Sequence, residues 1–235
     1  MVPPRRTIVF VHAHPDDEAL LTAGTMARAA AEGHRVVLIT ATNGAGGLTS
    51  AGLREGLGDL RLAELHEAAA HLGVARIVAL GLPDSGLRGE EPAGMVHQPL
   101  SALADPVRDV LQDESASVVV GYDPAGGYGH PDHVHVHRAV RAAARACQHP
   151  VTLFEATLPR EPIRAAVRAA ARLGLTPSDF DATEFDAAWT ARAEITHRVN
   201  VRRHLRAKRA ALRAHASQAE ADGTARTLGV LTRLP

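Results

Sequence analysis

Short apolar runs alternate with longer segments of helical periodicity over roughly the first 160 residues of the chain. The predicted strands are Thr7–His12, Val36–Thr42, Arg76–Leu80, Ser117–Gly121 and Val151–Thr157. The predicted helices between them are Glu18–Glu32, Leu60–Leu72, Leu100–Gln112 and Asp132–Cys147. Apolar strands separated by helices of this length are typical of βαβ units. The pattern therefore predicts an α/β fold with a Rossmann-like, mostly parallel sheet and helices on both faces.

The pattern changes in the last third of the chain. Pro162–Leu173 has helical periodicity, the segment 176–189 is irregular, Glu194–Val201 is a candidate edge strand, and Arg203–His215 is predicted to be a basic helix. No Gly/Ser- or Pro-rich linker separates this part from the rest. We therefore expect a single domain over residues 1–235, with a core at about 5–160 and an extension at about 161–235.

Composition narrows the functional class. Acidic and basic residues balance at 26 each and aromatic residues make up only 3% of the chain, which disfavours nucleic-acid binding. The single cysteine, Cys147, excludes an internal disulfide and an all-cysteine zinc site. The sequence shows neither a signal peptide nor an apolar stretch long enough to span a membrane. We expect a cytoplasmic protein with a small-molecule partner, and homo-oligomerisation is left open.

Two similar blocks of polar residues follow predicted buried strands. The first is AHPDDE at residues 13–18, and the second is GHPDHVHVH at residues 129–137. Each block stands at the carboxyl end of a strand, the first and the fourth, and opens a helix. Open α/β sheets bind ligands outside those strand ends, where the strand order reverses. If the first and fourth strands are neighbours, the two blocks face each other across that crevice.

The residue types in the blocks are those of a catalytic zinc site, in which two imidazoles and one carboxylate leave a fourth position open. His14 and Asp17 lie across a helix start and can reach one point. The third ligand must come from the second block. Spacing favours His133, one turn into the helix, and favours His137 only if that helix starts later, while His130 sits in the preceding loop.

Asp16 is the candidate general base. On a helix, adjacent residues such as Asp16 and Asp17 project about 100° apart, so one carboxylate can hold a metal while the other takes a proton. The plain alternative is helix capping, because acids and a proline suit the first turn of a helix. Capping explains one or two acids, but it explains neither the histidines nor the repetition of the block.

The motifs together resemble a known family, the LmbE/PIG-L-like zinc-dependent N-deacetylases. The resemblance rests on AHPDDE at 13–18, RLAEL at 61–65, LPDSG at 82–86, GGYGHPDHV at 126–134 and RAALRAHASQ at 209–218. These motifs run in the family's order over most of the chain. The family acts on N-acetylglucosamine conjugates and on mycothiol conjugates. The resemblance implies that His14, Asp17 and His133 bind the metal and that Asp16 is the base.

The resemblance also implies roles for residues outside the ligand set. His130 matches a histidine that acts as general acid or steadies the oxyanion, with Asp132 orienting it, and that carboxylate is expected to raise the pKa of His130. Tyr128 matches a tyrosine implicated in oxyanion stabilisation. Arg61 and Asp84 fall where family members contact sugar hydroxyls.

The function that we expect is removal of acetyl from an N-acetylglucosamine-type conjugate, by attack of a zinc-bound water with Asp16 as base. Iron or another divalent metal is an alternative to zinc, at one ion per chain. Two other functions stay open: an amidase releasing a larger acyl group from a glucosaminide, and a non-catalytic sugar- or nucleotide-binding module.

Some signals are weaker. The loop NGAGG at 43–47 lacks the spacing of a nucleotide-binding loop and is predicted to form a flexible wall of the site. Arg61 has an alternative as a solvated side chain or a partner of Glu64, and Asp84 as a turn residue. His215 has no derivable role, and a structural polar contact is expected.

Overall fold

Five parallel strands form the central sheet of the computed structural model, which describes residues 5–47, 56–176 and 182–219. The strands are β1 (Thr7–His12), β2 (Arg35–Thr42), β3 (Arg76–Leu82), β4 (Val118–Tyr122) and β5 (Thr152–Ala156). Their order across the sheet is β3-β2-β1-β4-β5, and each neighbouring pair is parallel. From β1 the chain adds β2 and β3 toward one edge of the sheet, and from β4 it adds β5 toward the other edge. The strand order therefore reverses between β1 and β4.

Helices follow each strand, as the periodicity predicts. They are α1 (Ala23–Ala31), α2 (Leu57–Leu72), α3 (Ser101–Asp113), α4 (Pro131–Ala146), α5 (Arg160–Arg172), α6 (Leu205–Ala214) and the short α7 (Ala216–Ala219). A π-helical turn, Glu18–Thr22, leads into α1. Helix α2 ends at Gly73, whose φ of 71° is the left-handed conformation expected of a glycine C-cap.

The alternation of side chains along β1 divides the core into two layers. Val9 and Val11 pack with α3 and α4 on one face of the sheet, whereas Phe10 packs with α1, α2 and α6 on the other. Because both faces are covered, β1 and β2 are nearly continuous buried apolar runs. The predicted α/β class with helices on both faces is confirmed.

The edge strand predicted at Glu194–Val201 is wrong, because this segment forms a turn followed by irregular backbone. Val201 instead packs against α1, where a Cβ added to Gly24 would lie 2.7 Å from the Val201 Cβ. Arg28 also donates a hydrogen bond to the Asn200 carbonyl, at 3.4 Å. These contacts hold the segment against a helix, and α6 then completes the second layer of the core. In the part of the chain that the structure describes, no helix has the length and apolarity needed to cross a membrane.

Candidate active site

Both HPD blocks lie at the carboxyl edge of the sheet, on the two strands where the order reverses. β1 ends at His12 just before the first block, and β4 ends at Tyr122 before the loop that enters α4. Parallel pairing of β1 with β4 brings these strand ends together. The two blocks are therefore next to each other, as expected.

Side chains from both blocks converge on one carboxylate oxygen. Nδ1 of His14 lies 3.3 Å from Oδ2 of Asp17, and Nε2 of His133 lies 3.2 Å from the same oxygen. All three residues are buried. The arrangement presents two imidazole nitrogens and a carboxylate to a common point.

Outer contacts fix the orientation of both imidazoles. Nδ1 of His133 lies 3.1 Å from the Gly126 carbonyl oxygen, and Nε2 of His14 lies 3.0 Å from Oδ2 of Asp132. A nitrogen that donates its N–H to such an acceptor leaves the other ring nitrogen with a free lone pair. When both rings are neutral, the lone pairs of His133 Nε2 and His14 Nδ1 are thereby directed toward Asp17.

This donor set fits a zinc ion. Nε2 of His133 is buried, yet it makes no hydrogen bond with any residue that the structure describes. Buried polar atoms without a partner are rare, and a metal ion would supply the missing partner. Two histidines and one carboxylate are a known ligand set of catalytic zinc. A ring nitrogen of His130 also lies within 4.8 Å of those of His14 and His133, so a three-histidine set is the geometric alternative.

The charges of the cluster are strongly coupled. Burial opposes charge on His14, but its hydrogen bonds to Asp132 and Asp17 prevail and raise its pKa to about 10. Burial likewise opposes charge on Asp17, but His133 and His14 hold the Asp17 pKa well below its usual range. Metal ligation requires neutral imidazoles, so metal binding here must displace protons from the cluster.

Tyr122, which the sequence analysis missed, binds the carboxylate of Asp17. Its hydroxyl donates to Oδ2 of Asp17 at 2.7 Å and accepts the backbone N–H of Ala13 at 3.0 Å. Its ring stacks on His133 with centroids 4.2 Å apart. Two tyrosines are the whole tyrosine content of the chain. An isolated aromatic residue at the end of the fourth strand was the signal that could have indicated this residue.

His130 lies at the mouth of the cluster as the N-cap of α4. Its Nδ1 accepts the backbone N–H of Asp132 at 3.2 Å, so the ring proton of neutral His130 resides on Nε2. Burial, followed by the neighbouring His14 and His133, lowers the pKa of His130 to about 4. Asp132 does raise this pKa, as expected, but burial and the two neighbouring imidazoles outweigh it, and the net shift is downward.

Tyr128 stands beside His130 and is partly exposed. Its ring centroid lies 5.1 Å from that of His133 and 6.0 Å from that of His130. The preceding residue, Gly127, is in contact with the Trp189 ring, since a Cβ added to Gly127 would lie 2.9 Å from that ring. Tyr128 is therefore placed at the opening of the site, next to the candidate metal ligands.

Asp16 has an unusual backbone. Its φ of 106° lies in a region that non-glycine residues rarely occupy and that costs of order 1–3 kcal/mol. This conformation, rather than the predicted helical offset, separates its carboxylate from that of Asp17. Oδ2 of Asp16 lies 3.0 Å from an Arg61 nitrogen. Burial outweighs the attraction of Arg61 and raises the Asp16 pKa to about 6.

Arg61 is buried and does not pair with Glu64, contrary to the alternative from sequence. Its guanidinium donates to the carbonyl oxygens of Gly44 and Pro15, each at 2.5 Å. A Cβ at Gly44 would lie 2.3 Å from this guanidinium, so the loop needs glycine for its close approach. Glu64 instead accepts hydrogen bonds from the backbone and hydroxyl of Ser217, both at 2.7 Å.

Asp84 joins the loop after β3 to the loop 43–47. Its carboxylate accepts the N–H of Gly86 at 2.9 Å and that of Gly46 at 3.1 Å, as in a turn. Oδ1 of Asp84 also lies 3.8 Å from His14 Nε2, which brings Asp84 to the border of the cluster. The loop 43–47, for which the sequence predicts a flexible wall, thus lies beside the site and is held in place by Arg61 and Asp84.

His137, the alternative ligand, does not reach the cluster. Its Nδ1 lies 2.9 Å from the Tyr122 carbonyl oxygen and 3.5 Å from the Glu155 carboxylate on β5. Helix α4 begins at Pro131, early enough to direct His133 rather than His137 to the strand end. The preference for His133 in the sequence analysis agrees with this geometry.

Sequence comparison places the chain among known N-deacetylases. The family described as PIG-L, GlcNAc-PI de-N-acetylase, matches residues 9–144. A 1D-myo-inositol 2-acetamido-2-deoxy-alpha-D-glucopyranoside deacetylase of Saccharomonospora viridis is 38% identical over 227 residues, covering 90% of this chain and 84% of the relative. A protein of the same name from Actinosynnema mirum is 39% identical over 233 residues, covering 92% and 81%.

Solved structures share the fold. The N,N'-diacetylchitobiose deacetylase of Pyrococcus horikoshii has a TM-score of 0.64 at 22% identity, covering 96% of this chain and 75% of that one. The zinc-inhibited form of a teicoplanin deacetylase has a TM-score of 0.59 at 21% identity, covering 90% and 84%. With its matched sequence, its fold and its paired HPD blocks, this chain belongs to the PIG-L/LmbE family of N-deacetylases, enzymes that hydrolyse amides.

Proposed function

We propose that this chain is a metal-dependent hydrolase that removes the acetyl group from an N-acetylglucosamine-type conjugate. The observation that carries the proposal is the convergence of His14, Asp17 and His133, with the Asp16 carboxylate directed elsewhere. The curated relatives support the substrate class, because their names specify a 2-acetamido-2-deoxyglucoside of inositol.

In this proposal His14, Asp17 and His133 hold zinc, or iron in its place, at one ion per chain. When bound, the metal would polarise the amide carbonyl and lower the pKa of a water molecule that it coordinates. The contacts from Gly126 and Asp132 keep both imidazoles oriented for ligation before the ion arrives.

Asp16 takes a proton from the attacking water and passes it to the departing amine. A carboxyl group with a pKa of about 6 is ionised at neutral pH and still basic enough to accept that proton. Arg61 holds the carboxylate at 3.0 Å and so limits its rotation. When the C–N bond breaks, the proton on Asp16 goes to the amine nitrogen, and acetate and the free amino sugar result.

His130 stabilises the oxyanion as a neutral hydrogen-bond donor. Its Nδ1 accepts from the Asp132 backbone, which leaves its Nε2–H available on the side of the cluster. The oxyanion role is proposed over the general-acid role, because Nδ1 is occupied as an acceptor of a backbone N–H and burial lowers the His130 pKa, both of which favour a ring with one proton. Tyr128, at the opening, adds a second donor from its hydroxyl.

Arg61 and Asp84 are the proposed determinants of sugar binding. Both side chains bind the backbone of loop 43–47 in the structure. We therefore propose that both residues help to bind the sugar hydroxyls by holding this loop in place. The Asp84 carboxylate also contributes directly.

The test is a panel of matched glucosamine amides with zinc-loaded protein. We expect the acetylated inositol glucosaminide to give the highest kcat/KM, N,N'-diacetylchitobiose a lower value, and the inositol glucosaminide carrying a bulkier acyl group the lowest. Protein stripped of metal with a chelator is the control and should release no acetate above background.

Two results would contradict the proposal. Faster release of the bulkier acid than of acetate would assign the chain as an amidase for larger acyl groups. Absence of hydrolysis across the panel, in protein carrying one zinc per chain, would assign it as a binding module.

A further inference from the structure

A buried ion pair connects the C-terminal segment to the first HPD block. Nε2 of His215, directly after α6, lies 2.7 Å from Oε1 of Glu18. Glu18 is 0% exposed and His215 is 2% exposed. The two residues are 197 positions apart in sequence, so the contact exists only in the folded protein.

The second oxygen of Glu18 reaches the backbone of Asp16. Oε2 of Glu18 accepts the Asp16 N–H at 3.0 Å, at the residue whose φ is 106°. The two Glu18 oxygens thus have different partners, since one binds His215 and the other holds the strained peptide of Asp16. A carboxylate with two fixed donors on opposite oxygens has little freedom to rotate.

His215 itself is held firmly. Two residues later, Ser217 binds both oxygens of Glu64 on α2, through its backbone N–H and its hydroxyl at 2.7 Å each. Helix α2 also carries Arg61, which binds the Asp16 carboxylate at 3.0 Å. The α2–α6 pair therefore anchors Asp16 at two points, its N–H through Glu18 and its carboxylate through Arg61.

We propose that His215 is a positioning residue for Asp16 and acts through Glu18. The imidazole supplies the countercharge and the donor that keep the buried Glu18 carboxylate in place, and Glu18 in turn keeps the Asp16 peptide in its left-handed conformation. This inference rests on the proposed role of Asp16 as the base. It assigns His215, the first residue of the HASQ segment 215–218, a part in the reaction that is exerted through Glu18 and not through contact with a proposed metal ligand.

The test compares His215→Gln with His215→Leu. The two replacements are similar in size, but only the glutamine amide can donate to Glu18. We expect His215→Leu to lower kcat by about 10–100-fold with little change in KM, because a small displacement of a catalytic group is that costly. His215→Gln should recover most of the loss, and zinc content should stay at the wild-type value in both.

A direct structural readout accompanies the kinetics. The amide proton of Asp16, which is hydrogen-bonded to a carboxylate, should resonate downfield in the wild type and in His215→Gln. It should move upfield in His215→Leu. A role of His215 in stability alone would not move this resonance in folded protein. His149→Leu is the control, since it removes a partly buried histidine that binds the Ala116 carbonyl at 2.9 Å at the amino edge of the sheet, and it should leave both kcat and the Asp16 resonance near wild-type values.

Equal kcat and equal Asp16 amide shifts in the Gln and Leu variants would overturn the proposal, as would a His149→Leu loss as large as that of His215→Leu. Failure of the proposed function is distinguishable from these results. If Asp16→Asn retains activity, Asp16 is not the base, whereas the amide shifts of the His215 variants still report whether His215 positions its peptide.

Discussion

At the amino edge of the sheet, Arg35 and Arg76 begin β2 and β3 and both bind the carboxylate of Glu114, which follows α3. Arg35 donates to both Glu114 oxygens, at 2.6 and 3.1 Å, and Arg76 adds a third bond at 3.0 Å. At the carboxyl edge, the charged groups of the two HPD blocks are deeper in the protein, and several of their polar atoms have no partner among the described residues.

The two edges of the sheet differ in whether their buried polar atoms all have hydrogen-bond partners. Among the described side chains, the buried polar atoms without a partner belong to Arg61, Asp132, His133, His135 and His215. All but His135 belong to the carboxyl-edge cluster or to the residues that position it. Unpaired buried polar atoms lower stability, and they persist where a ligand or reaction uses them. The amino edge uses charge to hold elements together, whereas the carboxyl edge keeps unpaired polar atoms, which we propose bind a metal and a substrate.

The largest effect should come from the base. Asp16→Asn keeps the shape of the side chain but removes its ability to take a proton, so we expect kcat to fall by about 10³–10⁴-fold. Zinc content should stay at the wild-type level, because Asp17 and the two histidines are unchanged. Acetate release and metal analysis on the same preparation check this. Loss of zinc in Asp16→Asn would show that Asp16 is itself a ligand.

A smaller loss is expected from the oxyanion donor. His130→Ala should lower kcat by about 10²–10³-fold, the usual effect of removing one such donor. Steady-state kinetics and zinc analysis together make the measurement. If the variant also loses zinc, His130 belongs to the metal site, and the three-histidine set replaces the set that contains Asp17.

Replacement of Tyr122 should affect the affinity for zinc more than kcat. Tyr122→Phe removes the hydroxyl that binds Asp17 and should weaken zinc binding by about 10–100-fold. Competition with a chromogenic chelator measures this affinity. With saturating zinc, activity should return to within a few-fold of wild type, and a persistent deep loss would place the Tyr122 hydroxyl in the reaction itself.

The smallest effect is expected at the amino edge, where loss of the Glu114 charge should change the free energy of unfolding. Arg35 and Arg76 lower the pKa of Glu114 to about 2, below its usual 4.5, so the ionised form stabilises the fold above about pH 4.5. Glu114→Gln should therefore lower the free energy of unfolding by about 1 kcal/mol at pH 7, a modest value because both arginines are partly exposed.

The pH dependence of that loss follows from the sign of the shift. As the pH falls from 4.5 toward 2, wild-type Glu114 becomes protonated, so the difference between wild type and Glu114→Gln should shrink. Urea unfolding at several pH values measures it. Asp109→Asn, in an exposed pair with Arg108, is the control and should show almost no loss. A constant difference at all pH values would mean that packing, not charge, is responsible.

The sequence predicts well those features that depend on local pattern. Strand positions shift by at most about two residues, since apolar periodicity reflects burial directly. The meeting of His14 with His133 also followed from the sequence, because strand ends and helix starts can be placed without knowing side-chain contacts. Glu194–Val201 shows the limit: the sequence offers it as an edge strand, but it has irregular backbone and its last residue, Val201, packs against α1.

The remaining features depend on contacts between distant residues. The pairing of Glu18 with His215, and the bond from Tyr122 to Asp17, join positions more than 100 residues apart. Asp16 has a positive φ that its residue type does not favour, and its carboxylate is held by Arg61, 45 residues away in sequence. No local pattern contains that information, which is why the sequence indicates the proposed reacting groups but not Tyr122 or the Glu18–His215 pair.

We infer that the two HPD blocks form one metal centre on which hydrolysis depends. Titrating zinc into metal-free protein while following acetate release from the inositol glucosaminide tests it most directly. In the wild type, activity should rise in proportion to zinc and level off at one equivalent per chain. His137→Ala should behave in the same way. His133→Ala should neither retain the ion nor gain activity. Full activity in metal-free protein, or zinc-dependent activity in His133→Ala that matches the wild type, would contradict the account.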